Sequence, residues 1–126
     1  MLTSKISKER LVIKSKIHKA MVTETNLNNT DSITVDEDLM KMVNLQEYEK
    51  VLVVNNTNGA RLETFVEKGK RGSGIVSING AAVHLTNRSD EITIMSFAWT
   101  NKKFEPKAIV IDKENKFVRF LEGGVF

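Results

Sequence analysis

The chain has 126 residues, 40% hydrophobic and 28% charged, with a formal net charge of +3. That length suits one domain with a modest core. Cysteine is absent, which excludes disulfides, thiol nucleophiles and Cys-ligated metal centres, and no apolar run approaches the roughly 18 residues of a membrane helix.

The first segment, residues 1–13, reads as a basic N-terminal extension or edge strand. Its apolar residues Ile6, Leu11, Val12 and Ile13 are interrupted by Lys8, Glu9 and Arg10, so no secretory core exists. The expected location is cytoplasmic. Lys5, Lys8, Arg10, Lys14, Lys16 and Lys19 face Glu9 alone. A basic arm of this kind can contact nucleic acid, but few aromatic residues lie between the charges to stack on bases. Lysines that guard an edge strand are the simpler account, and no nucleic-acid or membrane partner is expected.

Leu11–Val22 predicts one or two strands. A polar turn, Asn29-Thr30-Asp31, then delivers Ser32. Thr34-Val35-Asp36-Glu37 has the capping-box pattern, a hydroxyl followed three residues on by Glu. It predicts a short helix with Leu39, Met40 and Val43 turned inward, and a second helical turn fits Leu45–Glu49. Lys50–Asn55 is a short apolar strand. Asn56-Thr57-Asn58-Gly59 follows as a hairpin turn, and Arg61–Glu67 returns. Lys70-Arg71-Gly72-Ser73-Gly74 is a polar turn, because no strand and helix flank it as a phosphate loop requires. Strands at Ile75–Ile78, Glu91–Trp99, Lys107–Ile111 and Phe117–Leu121 complete the set, the last two joined by a turn at Asp112–Asn115. The pattern is all-β with one or two short helices, in one domain spanning residues 1–126.

Few residues suggest chemistry by themselves. His18 and His84 stand far apart, each readable as a half-buried strand histidine, and no metal site is expected. Arg61 opens a strand, Asn79-Gly80 reads as a tight turn, and Thr64 is a good strand residue.

Taken together in order, several stretches resemble the pyruvoyl-dependent aspartate decarboxylases. They are Lys14-Ser15-Lys16-Ile17-His18-Lys19-Ala20, Ser32 to Leu39, Val54 to Thr64, Arg71-Gly72-Ser73-Gly74 and Ile78-Asn79-Gly80-Ala81-Ala82. The resemblance covers about Lys14 to Phe97. It implies a double-psi β-barrel, assembled as a homotetramer with sites between neighbouring subunits. It also implies self-cleavage at Asp31-Ser32, with Ser32 becoming a covalent pyruvoyl cofactor. That carbonyl forms a Schiff base with an acidic amino acid and acts as the electron sink for decarboxylation. L-aspartate would become β-alanine and CO2, feeding pantothenate biosynthesis. By the same matching, Arg61 grips a substrate carboxylate and Lys16 adds a second cation. Thr64 supplies a hydroxyl, and Asn79, Gly80, Ala81 and Ala82 hold the substrate.

The chain departs from that family at three positions. Asp31 replaces a glycine before the cleaved bond. Glycine reaches positive φ without cost, whereas Asp31 adds a negative charge beside the nascent oxyanion, so slow cleavage is expected. Phe65 replaces the tyrosine that protonates the product carbanion, and Asn29 replaces an aromatic residue upstream. Two readings therefore follow: a self-processed decarboxylase for aspartate or a related acidic amino acid, and an uncleaved, non-catalytic homologue serving as a binding or assembly subunit.

Overall fold

The computed structural model of the protein describes residues 8–122. Nine strands form one hydrogen-bonded order, β2-β6-β3-β5-β4-β7-β1-β8-β9. They are β1 (Arg10–Met21), β2 (Glu24–Asn26), β3 (Ser32–Asp36), β4 (Lys50–Asn55), β5 (Arg61–Gly69), β6 (Val76–Asn79), β7 (Glu91–Thr100), β8 (Lys107–Ile111) and β9 (Phe117–Leu121). Chain continuity closes the order into a barrel. β1 lies between β7 and β8, and after two residues the chain resumes as β2 at the far end, parallel to β6. Thr23, between the two strands, donates its N–H to the Val76 carbonyl at 2.8 Å. Further parallel pairs, β1 with β8 and β3 with β5, cross over antiparallel neighbours. The architecture is the expected double-psi β-barrel.

Alternation explains the core. Ile33 and Val35 of β3, Val51 and Val53 of β4, Val66 of β5, Ile78 of β6 and Ile92 and Ile94 of β7 are at most 1% exposed. Branched side chains suit this pleated, enclosed surface. Each fully buried one contributes about 1.5–3 kcal/mol. The opposite face is polar along β3 and β6, where it carries Ser32, Thr34, Ser77 and Asn79, and apolar on β4, where it carries Leu52 and Val54.

Helical structure is limited to α1 (Glu37–Met42) and a 3-10 helix at Gly80–Leu85. The expected capping box fails at Thr34. That residue is inside β3, paired with Ser77, so its backbone is committed to the sheet. Asp36 is the N-cap instead, accepting from the Asp38 N–H at 2.9 Å. The same buried carboxylate accepts from Gly72 N–H at 3.0 Å and Gly74 N–H at 2.9 Å, which makes the Lys70–Gly74 turn a wrapping around Asp36. Leu45–Glu49 forms turns rather than a helix. Asn79-Gly80, expected as a simple turn, opens the 3-10 helix, and His84 lies in that helix rather than in a strand.

The β4–β5 hairpin also differs in detail. Gly59 has φ +80, but Asn58 is not among the positive-φ residues, so the loop is not a two-residue Asn-Gly turn. The buried Asn55 side chain shapes it, accepting from Thr57 N–H at 2.9 Å and Asn58 N–H at 3.2 Å. Residues 1–7 of the expected extension lie outside the described residues. Arg10–Ile13 pair with Thr100–Phe97, and Lys14 donates to the Asn44 carbonyl and to Glu49.

Candidate active site

Ser32 is the first residue of β3, and β3 is clasped by β5 and β6. It is only 3% exposed although a polar loop precedes it. Asn79 is its direct partner on β6. The Asn79 amide donates from Nδ2 to Ser32 Oγ and to Thr34 Oγ1, both at 3.0 Å. Its orientation is fixed from behind. Asn79 Oδ1 accepts from Ser77 Oγ at 2.9 Å and from Asn26 Nδ2 at 3.3 Å. Ser32 Oγ in turn lies 3.2 Å from the Thr30 carbonyl and 3.3 Å from Glu67 Oε2. A hydroxyl at a chain turn is thus held by a polar network reaching across β2, β6, β3 and β5.

Asp31 is exposed and anchored differently. Its Oδ1 accepts from the Ala81 N–H at 2.9 Å, at the start of the 3-10 helix. Gly80 has φ +81, and a Cβ there would fall 2.0 Å from that Asp31 oxygen. Only glycine fits. Asp31 itself is not among the positive-φ residues. The unusual backbone is displaced onto Gly80.

Asp31, Leu62, Thr64, Ala81 and Ala82 line a cavity of about 250 Å³. Asp31, Ser32, Thr64 and Asn79–Ala82 are therefore neighbours within one chain. A larger cavity of about 430 Å³ lies elsewhere, at Met42, Pro106, Phe120 and Leu121, and contains none of these residues.

Arg61, Phe65 and Lys16 occupy the outer barrel face. Along β5, Arg61, Glu63, Phe65 and Glu67 alternate with the inward Leu62, Thr64 and Val66. Ser32 precedes Ile33, the partner of Val66, so Ser32 and Phe65 project to the same side. Lys16 aligns through Met95 and Leu52 with Glu63. Three strand spacings separate Lys16 from Glu63, roughly 14 Å along the sheet. Lys16 is 9% exposed and Phe65 53%.

The surroundings of His18 disfavour its protonated form. Its pKa is lowered chiefly by burial, then by the positive charges of Lys16 and Lys19, with Glu91 opposing. Its Nδ1 lies 3.4 Å from Thr93 Oγ1. Among the described residues, no three His, Cys, Asp or Glu side chains converge as a metal site, and no helix is long and apolar enough to cross a membrane.

Glu67, Asn26 and Ser77 were not legible as site residues. Their only signal is register across β2, β6, β3 and β5, which local sequence does not carry.

Comparison with known proteins identifies the family. The family model described as "Aspartate decarboxylase" matches residues 8–118. The chain is 49% identical over 116 residues to the aspartate 1-decarboxylases of Bacillus thuringiensis (strain Al Hakam) and Bacillus cereus (strain AH187), covering 89% of this chain and 91% of each relative. Among solved structures, a computationally designed protein, msDPBB_sym2, aligns with a TM-score of 0.45 at 18% identity, covering 69% of this chain and 99% of its own. A rationally designed one, mkDPBB_sym_86, aligns with a TM-score of 0.48 at 11% identity, covering 63% and 92%.

Proposed function

Since this chain belongs to the aspartate decarboxylase family, we propose that it converts L-aspartate to β-alanine and CO2 after breaking its own backbone between Asp31 and Ser32. The supporting observation is the buried Ser32 hydroxyl, oriented by Asn79 and placed where loop becomes strand. The residues present fit a pyruvoyl group made from Ser32. Asn79 Nδ2 is a donor aimed at Ser32 Oγ, the oxygen whose attack begins the conversion, and Thr34 and Ser77 extend the polar surroundings. Such a carbonyl supplies an electron sink for the carbanion left when CO2 departs.

The rest is done by side chains of this chain. Arg61 grips a substrate carboxylate with its planar fork, a charged hydrogen bond worth about 1.5–3 kcal/mol, and Lys16 adds positive charge. Ala81 and Ala82, with Thr64 beside them, line a cavity of about 250 Å³, below the roughly 300–1,000 Å³ of drug-sized sites and so suited to a small amino acid. Strand register within one chain leaves Lys16 too far along the wall to join Ser32. A homotetramer with sites between subunits supplies the missing proximity, and exposed Leu11, Phe97 and Trp99 offer apolar surface for its contacts.

A second reading has its own observation. Asp31 ties its carboxylate to the Ala81 amide, and Phe65 lacks the family's acidic hydroxyl, as suits an uncleaved binding subunit. Intact-mass spectrometry on denatured protein separates the two. Wild type is expected to yield two fragments slowly, the larger blocked at its N-terminus, and Asp31→Gly to yield them faster. Ser32→Ala stays whole. A wild type and an Asp31→Gly variant that both remain one chain after prolonged warming overturn the processed-enzyme reading.

A further inference from the structure

The Ser32 hydroxyl must lose its proton before its oxygen can attack, and the chain places one base against it. Asn79 Nδ2 donates to Ser32 Oγ at 3.0 Å, and the Asn79 amide cannot turn round, because its Oδ1 is occupied by Ser77 and Asn26. Ser32 Oγ is therefore an acceptor toward Asn79, and its own hydrogen has to point elsewhere. Two acceptors remain within reach: the Thr30 carbonyl at 3.2 Å and Glu67 Oε2 at 3.3 Å. Both distances are long for O–H···O bonds, so neither holds the hydrogen firmly. Catalytic contacts are often loose before the reacting geometry forms. A carbonyl can accept a hydrogen bond but cannot carry the proton away. A carboxylate can.

Tertiary register delivers that carboxylate. Parallel β3–β5 pairing sets Glu67 opposite Thr34, and Ser32 is the diagonal neighbour on the same face. A glutamate is long enough to reach across that diagonal. Asp31 turns its carboxylate toward the Ala81 N–H instead, and the acceptors within reach of Ser32 Oγ are the Thr30 carbonyl and Glu67.

We propose that Glu67 is the general base of backbone self-cleavage, a catalytic residue acting on Ser32 Oγ. This rests on the reading that the chain breaks at Asp31–Ser32. In the step, the Oγ–H proton passes to Glu67 while Oγ bonds to the Asp31 carbonyl carbon. The Asp31 C–Ser32 N bond then breaks. One proton returns to the Ser32 nitrogen, which becomes an amine on an Asp31–Ser32 ester, and Glu67 ends as a carboxylate. The chain parts when that ester is eliminated: the Ser32 Cα–H and Cβ–Oγ bonds break, Asp31 leaves as a free carboxylate, and water hydrolyses the dehydroalanine left at residue 32 to pyruvoyl and ammonia. No oxidant or reductant is needed. The Asn79 donor, facing Oγ from the other side, holds the oxygen still while its hydrogen leaves.

The test follows cleavage by intact mass, not decarboxylation. Glu67→Gln keeps the shape and a hydrogen-bond acceptor but removes the basicity. It is expected to cleave about 10²–10⁴-fold more slowly, the range of general acid–base catalysis, with an unchanged circular dichroism spectrum. Glu67→Ala leaves a gap beside Ser32, and added sodium formate is expected to restore cleavage in a concentration-dependent way, while sodium chloride at equal ionic strength does not. A merely structural role would not give rescue by a small base. Glu67→Gln cleaving at the wild-type rate, or Glu67→Ala indifferent to formate, overturns the inference and leaves self-cleavage standing. A wild type and Asp31→Gly that never cleave overturn both.

Discussion

Asp31 Oδ1 occupies the space that a Cβ on Gly80 would need, 2.0 Å from where that carbon would sit, and the same oxygen accepts the Ala81 N–H at 2.9 Å. Residue 31 and Gly80 thus constrain each other sterically. Gly80→Ala is expected to destabilise the protein by about 1–3 kcal/mol from its positive φ alone, with the overlap added. Combined with Asp31→Gly, the overlap with the carboxylate vanishes, although the backbone of residue 31, 2.9 Å from the added carbon, still crowds it. A double-mutant cycle by denaturant unfolding, in a Ser32→Ala background to prevent cleavage, should give a coupling of about 0.5–3 kcal/mol. Strict additivity would show that the two residues do not meet.

Arg61 stands at the exposed start of β5, clear of the Ser32 network. Arg61→Ala should therefore leave backbone cleavage nearly intact and lower kcat/KM for aspartate by about 10–150-fold, the equivalent of a charged hydrogen bond. Steady-state kinetics on fully cleaved protein checks it. Unchanged kcat and KM would remove Arg61 from the substrate grip.

Phe65 projects to the same side as Ser32 and is half exposed, so a hydroxyl added to its ring has room. Wild-type activity is expected to be low and to decay with turnover. A carbanion without a dedicated acid is protonated slowly, or on the cofactor carbon, which converts the cofactor to an amine. Phe65→Tyr should raise and prolong β-alanine release by about 10–100-fold, within the general-acid range. Mass spectrometry of the cofactor-bearing fragment reads the inactivation. Robust, undecaying wild-type activity that the tyrosine fails to improve would assign the proton to another group.

His18 gives a pH dependence whose sign follows from burial and from Lys16 and Lys19. Its folded pKa lies below the ordinary 6.5, so between those two values the unfolded chain binds more protons than the folded one. Stability from this group is complete above about pH 6.5 and is lost as pH falls through the folded pKa. Thermal unfolding from about pH 7.5 to about pH 5 should show wild type losing Tm relative to His18→Gln in that window. Parallel curves would mean that the imidazole titrates normally.

Much of this molecule is written locally. The short apolar run at Lys50–Asn55 and the returning Arg61–Glu67 dictate strands, because a β-branched run bounded by polar residues suits an enclosed pleated sheet. The Asn-Thr-Asn-Gly stretch dictates a reversal between them. The family motifs single out Ser32, Arg61 and Asn79. Three decisions belong to the tertiary structure alone. Thr34 looks like a helix cap, but pairing with Ser77 takes its backbone into the sheet and passes the cap to Asp36. Asp31 looks like the strained residue, but its side chain reaches fifty positions along the chain to Ala81, and the positive φ falls on Gly80. Glu67 looks like a solvated strand glutamate until parallel β3–β5 register lays it beside Ser32. Side-chain period and turn chemistry are properties of neighbouring residues, so a sequence displays them. Register between strands far apart in the chain is set by how the whole barrel closes, and only the closed barrel reveals which carboxylate meets which hydroxyl.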